Sequence, residues 1–281
     1  MSYESNPLRV GFVVGAPKSA TSSMVGMLNC HPRILALYEV RLYQHIVSKY
    51  GRRILQEHPS WRKFFGDLGS RNENYRRLAQ HLSGDVPYIY LFDKIPTLSP
   101  RTFDDLAQGA DALIFMVRDV RTWIAKDPVR RDYACEKNAV PAVVDHIVGL
   151  IRSFDYVDGP LMHVDFDRFI DTDSSLPREI SDFLGVSFHT HMQEWWNHIG
   201  ESENRDARKR TLNWIQDHRS SSQTPRHQDT RVEICDAAFW DEVLPVFDRY
   251  YSSLNQPVDS SQRQRDIDHL MGLRETVELG I

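Results

Sequence analysis

Long apolar runs are missing from this 281-residue chain. None approaches the roughly 20 residues that a membrane-spanning helix requires. Residues 1–7 are polar and lack the apolar centre of a secretory signal. The expectation is a cytoplasmic protein without a membrane span. Cysteine is scarce: Cys30, Cys135 and Cys235 are the only three. Their spacing does not fit a metal site and an odd number cannot all pair, which fits reduced thiols. The histidines show no ligand pair, so no metal is assigned. Positive charge is not in excess either. The formal net charge is −5, which argues against nucleic acid as a partner. There is no internal repeat, and nothing sets an oligomeric state.

What is present is the composition of a globular enzyme, with 41% hydrophobic and 26% charged residues. The length allows one domain with a sizeable core, taken here as 1–281. The stretch that organises the chain lies near its start. Residues 10–14 form a short apolar run that predicts a buried strand. Gly15 and Pro17 break it. Lys18, Ser19, Thr21 and Ser22 follow, and residues 24–28 open a helix. Strand, turn with lysine and hydroxyls, then helix is a geometry that cradles phosphate. Amide N–H groups at the helix start face the anion, and the helix dipole favours negative charge there. Taken alone, the loop also fits an ordinary strand-to-helix turn that happens to hold a lysine.

Spacing decides which phosphate loop is meant. The triphosphatase pattern G-x-x-x-x-G-K-[ST], counted from Gly15, wants Gly, Lys and Ser or Thr at 20, 21 and 22. The chain has Ala20, Thr21 and Ser22, and its lysine comes three residues early.

Further on, the pattern predicts a strand at Ile34–Tyr38, with Glu39 at its exit. Residues 40–85, rich in Arg, Tyr, Trp and Phe, predict a helical insertion covering a pocket. Residues 86–92 predict a strand running into a turn at 93–97. A short helix follows at 100–108, then a strand at Ala112–Val117 ending on Arg118-Asp119. A helix is expected over 138–156 and a strand over 161–164. Another helix, Leu176–Leu184, is closed by Gly185. Amphipathic spacing returns at 239–251, and 257–281 predicts a peripheral helix. Strands separated by helices give a parallel sheet in a three-layer α/β sandwich, in outline like a nucleotide kinase.

Pro17-Lys18-Ser19-Ala20-Thr21-Ser22 resembles P-K-S-G-T-T, the 5′-phosphosulfate loop of sulfotransferases that use 3′-phosphoadenosine 5′-phosphosulfate (PAPS). Three further blocks, in the family's order, extend the resemblance over roughly residues 8–190. Arg118-Asp119-Val120-Arg121 resembles the R-[DN]-P motif that binds the 3′-phosphate. The family's serine eight residues on is here Lys126, whose ammonium can also hold a phosphate. Asp93-Lys94-Ile95-Pro96-Thr97 resembles the E-K-T-P-x-Y turn of bacterial and Golgi-type members. The segments at 161–169 and 182–186 resemble its "Y-E-x-L … F-L-G" region. Ala20 departs from the usual glycine, and Ser23 from the tryptophan that stacks on adenine in animal enzymes.

The resemblance implies transfer of a sulfuryl group from PAPS, leaving PAP, to a hydroxyl or amine of a small-molecule, glycan or lipid acceptor. It implies that Lys18 and Lys94 meet the sulfuryl and bridging oxygens. Ser19, Thr21 and Ser22 would hold the 5′-phosphate. The histidine base of the animal cytosolic enzymes is replaced by Pro96. Glu39 matches the glutamate base of the bacterial and Golgi-type branch, without the proline that usually follows it. His163 and Asp93 stand next as bases, and His31 has a structural setting. A basic segment with Arg205, Arg208, Lys209 and Arg210 matches the part that closes over the 3′-phosphate, within a lid expected at 187–230. Two rivals remain: a P-loop kinase, with Asp93 and Asp119 as magnesium ligands, and a nucleotide-binding relative without catalysis. Aromatics such as Trp61, Phe64 and Trp195 fit either an acceptor pocket or the core.

Overall fold

A computed structural model of the protein describes residues 8–43, 52, 55–67, 69–82, 88–97, 99–125, 136–157, 159–171, 173–198 and 235–279. Its centre is a five-stranded parallel sheet. The strands are β1 (Arg9–Gly15), β2 (Ile34–Tyr38), β3 (Tyr90–Pro96), β4 (Ala112–Val117) and β5 (Leu161–Asp165). Their order across the sheet is β2-β3-β1-β4-β5. β1 is therefore central. The chain leaves it for one edge, then returns past it from β3 to β4. Ligands of such sheets bind beyond the carboxyl ends of the strands where the order reverses, and the Lys18 loop follows β1 at that place.

The central strands are buried on both faces, which is why they read as near-continuous apolar runs. On one face lie α1 (Thr21–Leu28), α6 (Phe166–Ile170), α7 (Leu176–Leu184) and α8 (Trp195–His198). They pack with Val13, Ile114 and Met116. On the other lie α2 (Arg71–Leu82), α3 (Pro100–Ala107), α4 (Val120–Ile124), α5 (Glu136–Ser153) and α9 (Ala237–Tyr251), around Phe12, Val14 and Phe115. The last helix, α10 (Ser260–Leu279), packs on α5, with Arg274 paired to Asp145 at 2.6 Å. This is the expected three-layer sandwich. Each large apolar side chain taken from water contributes about 1.5–3 kcal/mol.

Both edge strands are met by an asparagine. Asn29, just after α1, donates to the Ala36 carbonyl at 2.9 Å and accepts from the Ala36 N–H at 2.8 Å. Asn255 does the same to His163 on β5, at 2.9 and 2.7 Å.

One expectation needs correction. The third strand does not occupy 86–92. It starts at Tyr90 and runs through Asp93 and Lys94 to Pro96, while 83–87 lie outside the described residues. The charges belong to the strand because β3 is paired on both sides there. Asp93 lies opposite Phe12 and Leu37, and Lys94 opposite Val13 and Tyr38. Within 40–85, the described part holds a 3-10 turn, Pro59–Phe64, and α2. Trp61 and Phe64, like Trp195 elsewhere, are buried in the core, the second of the two settings open to these aromatics.

Candidate functional site

β1 ends at Gly15, whose φ is +140°; a Cβ there would lie 2.5 Å from the Met116 carbonyl oxygen. The chain turns through Ala16 to Ala20 and enters α1. Ser19 N–H donates to the Ala16 carbonyl at 3.1 Å. Lys18 (φ 72°) and Ala20 (φ 58°) are left-handed, a region L-residues enter only under constraint. The constraint comes from elsewhere in the chain. The Trp123 indole N–H donates to the Pro17 carbonyl at 2.7 Å. Arg118 donates to the Lys18 carbonyl at 2.8 Å. The Tyr38 hydroxyl donates to the Ser22 carbonyl at 3.0 Å.

Loop carbonyls are thus held from behind. α1 has no side-chain cap at Ala20; Ser23 N–H turns back to the Ala20 carbonyl at 2.9 Å, while the amides of Thr21 and Ser22 precede the first helical acceptor. Ser19 is fully buried and its hydroxyl has no hydrogen-bond partner. Pro17 and Lys18 are exposed, and Thr21 is buried. Lys18 makes no ion pair among the described residues. A buried unpartnered hydroxyl, uncapped amides and an exposed ammonium fit a phosphate or sulfate group.

The second half of the site comes from β2 and β3. Lys94 is buried, and its Nζ lies 2.7 Å from Glu39 Oε1 and 2.9 Å from Ser22 Oγ. One ammonium thereby joins the carboxylate past β2 to a hydroxyl of the loop past β1. Glu39 is left-handed, with φ 51°, and its N–H donates to the Lys94 carbonyl at 3.1 Å.

Arg118 is buried rather than on a solvated helix face. Its guanidinium stacks on Phe166 at 4.2 Å, and it also donates to Thr122 Oγ1 and the Thr122 carbonyl, both at 3.3 Å. Burial pushes its pKa down to about 10, against the pull of Asp167 and Asp119. His146 donates from Nε2 to the Arg118 carbonyl at 3.1 Å, leaving Nδ1 without a partner. Complete burial pushes this imidazole down to about 4.

The two reserve bases are engaged structurally. His163 donates from Nε2 to Ser153 Oγ at 2.6 Å, and burial lowers it to about 3. Asp93 is fully buried and accepts from Val40 N–H, Arg41 N–H and the Tyr75 hydroxyl. His31 is structural as expected: its ring bonds the Ser187 carbonyl at 3.0 Å and the Arg33 N–H at 3.1 Å. Among the described residues no group of His, Cys, Asp and Glu has a metal-binding arrangement, and no helix is long and apolar enough to cross a membrane. Lys126, Arg205, Arg208, Lys209 and Arg210 lie outside the described residues, as does most of the expected lid.

The structure therefore brings Lys18, Ser19, Ala20, Thr21, Ser22, Glu39, Lys94 and Arg118 to one end of the sheet. Sequence reasoning missed Trp123, Tyr38 and Tyr75, whose polar tips hold this end together. Their only signal was an aromatic with a polar atom among core residues.

No family model matches the chain, and no curated protein matches it. Solved structures do. The sulfotransferase domain of the Synechococcus PCC 7002 olefin synthase is similar with a TM-score of 0.51 at 16% identity, over 95% of this chain and 94% of that one. The sulfotransferase domain from the curacin biosynthetic pathway gives a TM-score of 0.50 at 15% identity, over 94% of this chain and 98% of that one. What this likeness shows is the fold.

Proposed function

We propose that the chain is a PAPS-dependent sulfotransferase of the glutamate-base type, acting on a hydroxyl or amine of a small-molecule, glycan or lipid acceptor. The observation that carries this reading is the line Glu39–Lys94–Ser22, with its 2.7 and 2.9 Å links. It ties a carboxylate to a phosphate-type loop through a lysine. The fold shared with sulfotransferase domains supports it.

PAPS already contains the activated group, so the protein has to position it and neutralise charge. The amides at the start of α1, with Ser19, Thr21 and Ser22, would hold the 5′-phosphate. Pro17 and Ala20 shape the loop backbone. Lys18 and Lys94 would meet the charge that grows on the leaving PAP. Glu39 would take the acceptor proton as the acceptor oxygen or nitrogen bonds to sulfur and the sulfur–oxygen bond to the phosphate breaks. Arg118, and Lys126, Arg208 and Lys209 beyond the described residues, would bind the 3′-phosphate.

The kinase reading has the right fold but poor chemistry. Asp93 is spent on backbone N–H groups, and Asp119 caps α4 and pairs with Arg121 at 2.5 Å. Neither is free to hold magnesium. The test is differential stabilisation. PAP should raise the melting temperature, and ATP with magnesium should do so much less. Equal or greater stabilisation by ATP with magnesium would favour the kinase. PAPS consumption across a panel of hydroxyl and amine acceptors separates an enzyme from a binding relative.

A further inference from the structure

Asp93 and Lys94 are consecutive in β3, so their side chains leave opposite faces of the sheet. Lys94 reaches Glu39. Asp93 lies on the face of Leu91 and Ile95, both fully buried in the core. An ionisable side chain there is expensive unless it is fully bonded. Its carboxylate accepts from Val40 N–H at 3.1 Å, Arg41 N–H at 2.7 Å and the Tyr75 hydroxyl at 2.5 Å. Burial pushes the carboxyl pKa up, while these bonds pull toward the ionised form.

The two N–H groups belong to the turn that follows Glu39. That turn is unusual, because Glu39 (φ 51°) and Arg41 (φ 54°) are both left-handed and neither is glycine. Such a backbone persists only where its surroundings impose it. The chain past β2 thus straddles the end of β3. Glu39 falls on the Lys94 face, and Val40 and Arg41 fall over Asp93. Tyr75, on α2, supports the carboxylate from below and accepts from Leu42 N–H at 3.3 Å.

We infer that Asp93, oriented by Tyr75, is a positioning residue. It fixes the left-handed turn at 39–41 and so holds the Glu39 carboxylate at Lys94. Its catalytic consequence rests on the reading of Glu39 as the base. Asp93 itself does not touch the reacting atoms, since its oxygens are filled by the turn and by Tyr75.

The test uses the full chain with Asp93→Asn and Tyr75→Phe. An asparagine has one acceptor oxygen and would turn donors toward an N–H, so it cannot serve both amides. Three readouts are taken: a crystal structure of each variant, PAP affinity by calorimetry, and PAPS turnover with p-nitrophenol as the probe acceptor. For Asp93→Asn the Glu39–Lys94 contact should open beyond hydrogen-bonding distance. kcat should fall about 10–100-fold, and PAP affinity should stay within about twofold, because a small misplacement of a reacting group costs rate. Tyr75→Phe keeps the carboxylate and the core volume, and should show the same split with a fall of about 3–10-fold. It decides the matter if Asp93→Asn does not fold. An unchanged Glu39–Lys94 contact in the variant that folds overturns the inference. So does an unchanged kcat, or a loss of PAP affinity as large as the loss of kcat. If the parent protein neither binds PAP nor consumes PAPS, the sulfotransferase reading fails, and the variants' structures still decide whether Asp93 sets the turn.

Discussion

Arg118 donates from its guanidinium to the main-chain carbonyl of Lys18 at 2.8 Å, across 100 residues of sequence. The arginine expected at the 3′-phosphate also holds in shape the loop proposed for the 5′-phosphate. Three of its nitrogens are engaged by Lys18 and Thr122, and a guanidinium has five N–H donors, so donors remain for an anion.

Arg118→Ala should therefore show two losses. Release of the Lys18 carbonyl weakens PAP and adenosine 5′-phosphosulfate alike, by about 0.5–1.5 kcal/mol. PAP should lose about 1.5–3 kcal/mol more, because only PAP has the 3′-phosphate. Calorimetric titration of both ligands reads the difference. Equal losses would leave Arg118 as a loop anchor alone.

Glu39→Gln keeps shape and removes the charge. Turnover should drop about 10²–10⁴-fold, as for a positioned base, with PAP affinity nearly unchanged. Lys18→Ala should instead lose both. Steady-state kinetics on an acceptor found in the panel, paired with PAP titration, makes the comparison. Near-full turnover by Glu39→Gln would remove the glutamate-base assignment.

Ala20 sits at φ 58° with no side-chain cap on α1. A left-handed L-residue costs roughly 1–2 kcal/mol, and glycine returns about 0.5–1 kcal/mol of that through its freer unfolded chain. Ala20→Gly should stabilise the fold by about 0.5–1 kcal/mol in urea unfolding. A destabilised variant would mean that the methyl group's contacts outweigh the strain.

Acid should weaken the protein through His146 and His163, buried with pKa values lowered to about 4 and about 3. Both folded values lie below the unfolded value of about 6.5, so the unfolded chain binds the protons first. Their stabilisation is complete above about pH 6.5 and is lost as pH falls toward 4 and 3. For His146 a shift from 6.5 to about 4 corresponds to about 3 kcal/mol. Urea unfolding between pH 7 and 4.5 should show stability rising with pH, with a smaller slope in His146→Gln. An unaltered slope would show that His146 does not titrate across folding.

Much of this architecture was legible. β2, β4 and α7 lie where apolar spacing and turn residues placed them, because local pattern and tertiary pairing agree there. Glu39 fell at the exit of β2 for the same reason. β3 was misplaced because Asp93 and Lys94 look like a turn until both charges find partners. Those partners, Tyr75, the 40–41 amides, Glu39 and Ser22, are 18 to 72 residues away in sequence. Trp123 read as core for a similar reason, since its N–H meets a carbonyl 106 residues back. Long-range polar pairs leave no periodicity to detect.

The asparagine amides on the two outer strands have a consequence for association. Open strand edges invite another chain to add itself, and proteins need devices to prevent it. Here a side-chain amide occupies the outward N–H and C=O of Ala36 on one flank and of His163 on the other. A sixth strand from a neighbouring molecule would have to expel one of these amides before it could form a ladder. At these two positions, extension of the sheet into a neighbouring copy carries the cost of breaking a paired amide on either flank.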